Sequence, residues 1–140
     1  MSDTCSLSIN YRARDQKVFD ENDFLDEYAD AMDDDHPVIR ARYFEEVNYA
    51  GYRELEKIAA AGVEFYGEHG NGGDYGAMEF VTHRGDILYH AMGKNGERIV
   101  TVQYDLDDNP QVTEEDIDHA RLFNDETNRL IKLFEQEKVF

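Results

Sequence analysis

The sequence predicts a single α+β domain spanning residues 1–140: an antiparallel sheet packed against helices, element order β-α-α-β-β-β-β-α, closed by a long C-terminal helix. Three observations predict it. A period-2 apolar alternation opens the chain, clustered strand and turn signals fill its second half, and a helical stripe of about 20 residues ends it. The length, 140 residues, suits one domain with a core that needs no disulfide or metal staple.

Cys5, Leu7, Ile9, Tyr11 and Ala13 alternate with polar residues, the pattern of a strand with one buried face. From Asp20 the period changes, and Phe24, Leu25, Tyr28, Ala31 and Met32 fall on one face of a predicted helix capped by Asp20 or Asn22 and ending by Asp35. His36-Pro37 breaks it. Ile39, Tyr43 and Val47, then Tyr52, Leu55, Ile58 and Ala59, predict a second helical stretch interrupted near Asn48 to Gly51 and stopped by Gly62. Four short strands should follow. Val63-Phe65 and Met78-Phe80-Thr82 alternate, with the Gly70–Gly76 stretch as their connection, and Gly85-Asp86 supplies a turn. Asn95-Gly96 predicts a hairpin that sets Tyr89 opposite Val102 and Ile87 opposite Tyr104. Thr113 with Asp116 then approximates a capping box, and Ile117, Ala120, Phe123, Thr127, Leu130, Ile131 and Phe134 hold the helical period to the end.

Charge is the unusual property. The chain carries 32 acidic and 14 basic residues, a net charge of -18. Residues 20–35 hold nine acidic and no basic residues, and residues 105–118 seven acidic and none basic, whereas 36–60 and 119–140 are each neutral. Such a balance repels nucleic acid and anionic membrane, so neither is an expected direct partner. On the predicted first helix Asp23, Glu27, Asp30 and Asp34 follow i, i+4, i+7, i+11 spacing, flanked by Asp26 and Asp33, and present a row of carboxylates about 16 Å long. A rigid row this dense imitates the phosphates that a basic protein groove is built to receive. Asp107, Asp108, Glu114 and Glu115 in the second segment could extend it.

No catalytic motif is present. The histidines lack the spacing of a helix-borne metal site, and the one cysteine, Cys5, excludes both an internal disulfide and a zinc cluster. Asp105-Leu106-Asp107-Asp108-Asn109 matches the start of a calcium loop, but Pro110 stands where that loop needs glycine. The expectation is therefore a non-enzymatic, cofactor-free and metal-free cytoplasmic protein. It would act as an acidic inhibitor, anti-defence or immunity-type, on the basic surface of a nucleic-acid-binding partner. Two other readings compete. A small-ligand or enzymatic domain would use a wet sheet face with Tyr89, His83 and His90, the two histidines facing each other across the Gly85-Asp86 turn. Adaptation to high salt would also explain acidity, although it should not segregate the charge. An exposed apolar sheet face would favour a homodimer.

Overall fold

The computed structural model describes residues 4–21, 29–33, 38–72, 76–91, 100 and 102–136. Its elements are β1 (Thr4–Arg12), α1 (Gln16–Glu21), β2 (Ala29–Asp33), β3 (Ile39–Asn48), α2 (Tyr52–Ala60), β4 (Phe65–His69), β5 (Met78–His83), β6 (Asp86–Ala91), β7 (Gln103–Tyr104), β8 (Pro110–Gln111) and α3 (Glu114–Gln136). The first six strands form one antiparallel sheet in the order β2-β3-β1-β4-β5-β6, and β7 with β8 forms a separate two-stranded ribbon. The α+β architecture with a long C-terminal helix is as the sequence predicts.

β1 is the central ruler. Its odd residues Cys5, Leu7, Ile9 and Tyr11 are buried on one sheet face, where Phe19 of α1 and Leu55, Ile58 and Ala59 of α2 cover them together with Phe44, Val47, Phe65 and Phe80. The opposite face is covered by α3, whose Phe123, Leu130 and Phe134 pack with Val81, Ile39, Tyr66 and Leu88. Period-2 alternation thus divides two apolar layers across one sheet, and helices cover both. α3 is about 34 Å long at 1.5 Å per residue. No helix among the described residues is long and apolar enough to cross a membrane.

Several elements end as their residues dictate. After α2, Gly62 takes φ +92°. Its N–H donates to the Ala59 carbonyl at 2.9 Å and that of Val63 to the Ile58 carbonyl at 3.4 Å, the paired bonds of a Schellman stop. Thr113 caps α3, its hydroxyl accepting the Asp116 N–H at 3.2 Å.

Other expectations are corrected. Residues 39–48 form strand β3 instead of a helix. Cys5 pairs with Val47 but Leu7 with Phe44, so β3 carries one extra residue over that interval. This bulge breaks period 2 and leaves Phe44 and Val47 three apart on the same core, which imitates helical spacing. Residues 29–33 likewise form a strand, so no helix runs from Asp20 to Asp35; α1 covers Gln16–Glu21. The β5–β6 turn is Arg84-Gly85, with φ +51° and +82°, not Gly85-Asp86. Asn95-Gly96 lies outside the described residues. The register predicted from it does not form among the described residues, because β6 is the last strand of the main sheet and β7 belongs to the separate ribbon, where Tyr104 pairs with Pro110.

Candidate functional site

The acidic residues fall on two mounts. Asp30 and Asp33 belong to β2, an edge strand, and Asp30 is the extra residue where Ala29 pairs with Phe44 and Ala31 with Tyr43. Asp23, Asp26, Glu27 and Asp34 lie outside the described residues. The proposed helical row is overturned at Asp30 and Asp33, whose backbone is strand and not helix, so the i, i+4, i+7, i+11 spacing does not place them on one helical face. The second mount does not extend the first. His119, in the α3 turn that follows residues 105–118, meets His90 of β6, the sheet edge opposite β2, and β2 is five strand spacings, about 24 Å, from β6.

The segment 105–118 is held by its own chemistry. The Asp105 carboxylate accepts the N–H groups of Asp107 and Asn109, each at 2.9 Å, and the Asp105 N–H donates to the Asn109 carbonyl at 3.1 Å. Hydrogen bonds from these backbone N–H groups hold the Asp105 carboxyl below its ordinary range, outweighing a small desolvation. Asp108 adopts φ +61° at the tip. The D-x-D-x-N sequence therefore closes a loop between β7 and β8 with Asp105 as its internal acceptor. Glu114, Glu115 and Asp116 occupy the first turn of α3, where negative charge complements the helix dipole. Asp107, Asp108, Glu114 and Glu115 are exposed and make no ion pair among the described residues.

Interleaved with these carboxylates is apolar surface. Among the described residues eight large hydrophobics are exposed, and five of them, Val102, Tyr104, Leu106, Val112 and Ile117, fall in this segment or within three residues before it. Composition had drawn attention to the charge alone; the apolar half of the surface was legible only once these residues proved to lie outside the core.

The histidine constellation does not assemble. His83 pairs across the hairpin with Asp86, and His90 with Glu79. The two histidines meet different turns of α3: His83 Nδ1 lies 3.0 Å from a Glu126 carboxylate oxygen, and His90 Nδ1 lies 3.3 Å from His119 Nδ1. Tyr89 sits on the other sheet face, packed on the α2 side. The stripe His119, Phe123, Glu126, Leu130 on α3, spaced i, i+4, i+7, i+11, was the sequence signal for these partnerships.

The α2 side holds a polar cluster of its own. His69, 1% exposed, accepts from the Tyr52 hydroxyl at Nε2 (3.0 Å), while its Nδ1 faces the Gly70 carbonyl at 2.9 Å. The Gly70 carbonyl can only accept, which places a proton on Nδ1, and in the neutral ring Nε2 accepts from the Tyr52 hydroxyl. Burial pushes its pKa below the ordinary histidine value, against a smaller opposing pull from the Gly70 carbonyl. Cys5 is buried, as its alternation predicts. Among the described residues no group of three or more His, Cys, Asp or Glu is placed to hold a metal ion. No protein-family model, curated protein or solved structure matches the chain.

Proposed function

We propose that this protein is a non-catalytic acidic inhibitor that binds the basic nucleic-acid-binding surface of a partner, with segment 102–118 as its contact surface. The observation that carries the reading is the alternation of exposed carboxylates with exposed apolar side chains on a fixed mount. Asp107, Asp108, Glu114 and Glu115 supply charge, and Tyr104, Leu106 and Val112 supply apolar area. A solvated charge run needs no apolar residues beside it, whereas interfaces combine steering charge with a few buried anchors. The pinned Asp105 loop and the capped start of α3 reduce the ordering cost of association. Contiguous contribution from β2 is not part of this reading, given its position on the far side of the sheet.

The test uses two variants that leave the core intact. D107N/D108N/E114Q/E115Q removes charge with little change of volume, and Tyr104→Ser with Leu106→Ser removes the apolar anchors. Each is compared with wild type in affinity capture from a nuclease-treated lysate, with retained proteins displaced by salt and by duplex DNA. The reading expects a nucleic-acid-binding protein that DNA displaces, a shallower salt dependence for the charge variant, and weaker retention at all salt concentrations for the apolar variant. Equal retention by both variants, without competition by DNA, would sink it.

A further inference from the structure

A contact between two histidines lies just beyond the acidic segment, where α3 meets β6. His90 Nδ1 stands 3.3 Å from His119 Nδ1 across an interval of 29 residues, so no spacing motif in the sequence contains the pair. The fold holds it from both sides. His90 is 7% exposed on β6, and its ring packs against Phe123 with the centroids 5.5 Å apart. His119 is exposed and belongs to the second turn of α3, a helix whose start is fixed by the Thr113 cap.

The geometry suits a shared ion better than a hydrogen bond. The ring planes lie within 18° of each other, and the nitrogens are closer together than the centroids, 3.3 against 5.4 Å, so both Nδ1 edges face one gap. An N–H hydrogen bond usually spans about 2.7–3.2 Å. Two nitrogens on a tetrahedral zinc ion, each at about 2.0–2.1 Å from the metal, stand about 3.3–3.4 Å apart. With each neutral ring protonated at Nε2, both Nδ1 lone pairs are available to one ion. The surroundings favour a cation as well. Residues 105–118, immediately before His119, carry seven acidic and no basic residues, and a field of that sign raises the local concentration of cations.

We infer that His90 and His119 bind a divalent transition metal ion of the zinc, nickel and copper class through their Nδ1 atoms. Imidazole nitrogen selects this class, whereas magnesium and calcium require shells of oxygen. No third His, Cys, Asp or Glu is in place beside the pair among the described residues, so water completes the coordination and the site stays open. The bound ion ties α3 to β6. The inference is independent of the proposed inhibitor function, because neither histidine lies in segment 102–118.

The experiment is a titration of the full chain with zinc chloride at neutral pH, followed by calorimetry and by imidazole nitrogen NMR. The inference expects one zinc ion per chain, with shifts at Nδ1 of His90 and His119 and none at His69 or His83. Zinc should raise the melting temperature, because the unfolded chain does not hold the pair together. Excess magnesium or calcium should not displace it. His119→Gln, at an exposed position, should melt as wild type does without zinc and should weaken zinc binding at least tenfold. His90→Gln should weaken it similarly, and if that buried change unfolds the chain, His119→Gln still decides. D107N/D108N/E114Q/E115Q should keep the ring shifts, which separates the pair from loose counterion attraction to the acidic segment. Zinc bound as tightly by His119→Gln, or bound without shifts at the two rings, would overturn the inference. Unchanged ring resonances in excess zinc would also overturn it and leave the pair a hydrogen bond alone.

Discussion

The Tyr52 hydroxyl lies 3.0 Å from Nε2 of His69 and the Gly70 carbonyl 2.9 Å from its Nδ1, so a buried imidazole has a partner at each ring nitrogen. Burial lowers the His69 pKa. In the unfolded chain the ring titrates near 6.5, so on acidification the unfolded state takes up the proton first. The stability from neutral His69 is complete above about pH 6.5 and is lost as the pH falls from there toward the depressed folded value. The melting temperature should therefore drop between pH 7.5 and pH 5.5, above the range of ordinary carboxylates. His69→Gln should show a smaller drop over the same interval, as measured by thermal denaturation; an equal drop would remove His69 from the explanation.

Tyr89 stands beside that pair, its ring 5.1 Å from Tyr52 and 6.3 Å from His69, yet its buried hydroxyl has no hydrogen-bond partner among the described residues. Burial raises its pKa, with the neighbouring Tyr52 and Glu56 adding to the effect, so it stays neutral. An unsatisfied buried hydroxyl costs about 1–3 kcal/mol. Tyr89→Phe keeps the ring contacts and removes the oxygen, and should leave stability unchanged or raise it by up to about 1 kcal/mol in urea unfolding. A loss above about 1 kcal/mol would mean that the hydroxyl is satisfied.

Much of this fold is written locally. β1, α2 with its Gly62 stop, β5, β6 and the Thr113-capped α3 each follow from a period and a punctuating residue. The failures share a cause. At β3 the extra residue between the Phe44 and Val47 pairings converts strand spacing into apparent helical spacing, and β2 has a matching irregularity at Asp30. A bulge is set by the neighbouring strand, so no window of sequence confined to β2 or β3 contains it. The candidate surface was half legible: the carboxylates of 105–118 could be counted, but exposure of Tyr104 and Leu106 depends on β7 pairing with β8 instead of β6.

Gly67 is required by backbone contact. A Cβ at this position would stand 2.0 Å from the Ser8 carbonyl oxygen and 2.9 Å from the ring of Phe80. The first is main chain of the central strand and cannot rotate away. Gly67→Ala should destabilise by about 2–3 kcal/mol or more, at the upper end of overpacking costs. Denaturant unfolding checks it, and a change below about 1 kcal/mol would show that β1 and β4 separate easily.

Arg84 takes φ +51° in the two-residue turn between β5 and β6, followed by Gly85 at +82°. Positive φ at both positions is the type I′ geometry, for which Asn-Gly is the preferred pair. Arg84 is exposed. Arg84→Asn should therefore stabilise by a few tenths to about 1 kcal/mol through relief of backbone strain. A lowered melting temperature would show that the arginine side chain makes a contribution larger than the strain.

Asp105 links the loop chemistry to the proposed contact surface. Its carboxylate receives the Asp107 and Asn109 N–H groups, and those bonds hold its pKa below the ordinary value. For a carboxyl with a depressed folded pKa the stabilisation is present above the unfolded value, near 3.9, and is lost as the pH falls through the folded one. The loop is thus fully pinned at neutral pH. Asp105→Ala deletes the acceptor and should speed amide hydrogen exchange at Asp107 and Asn109, with the melting temperature little changed because the loop lies outside both apolar cores. Asp105→Asn keeps one acceptor oxygen and should exchange at an intermediate rate. If the contact surface depends on this pinning, Asp105→Ala should also weaken partner retention although Asp107, Asp108, Glu114 and Glu115 are all still present. Wild-type retention with faster exchange would show that the charges act without a fixed mount.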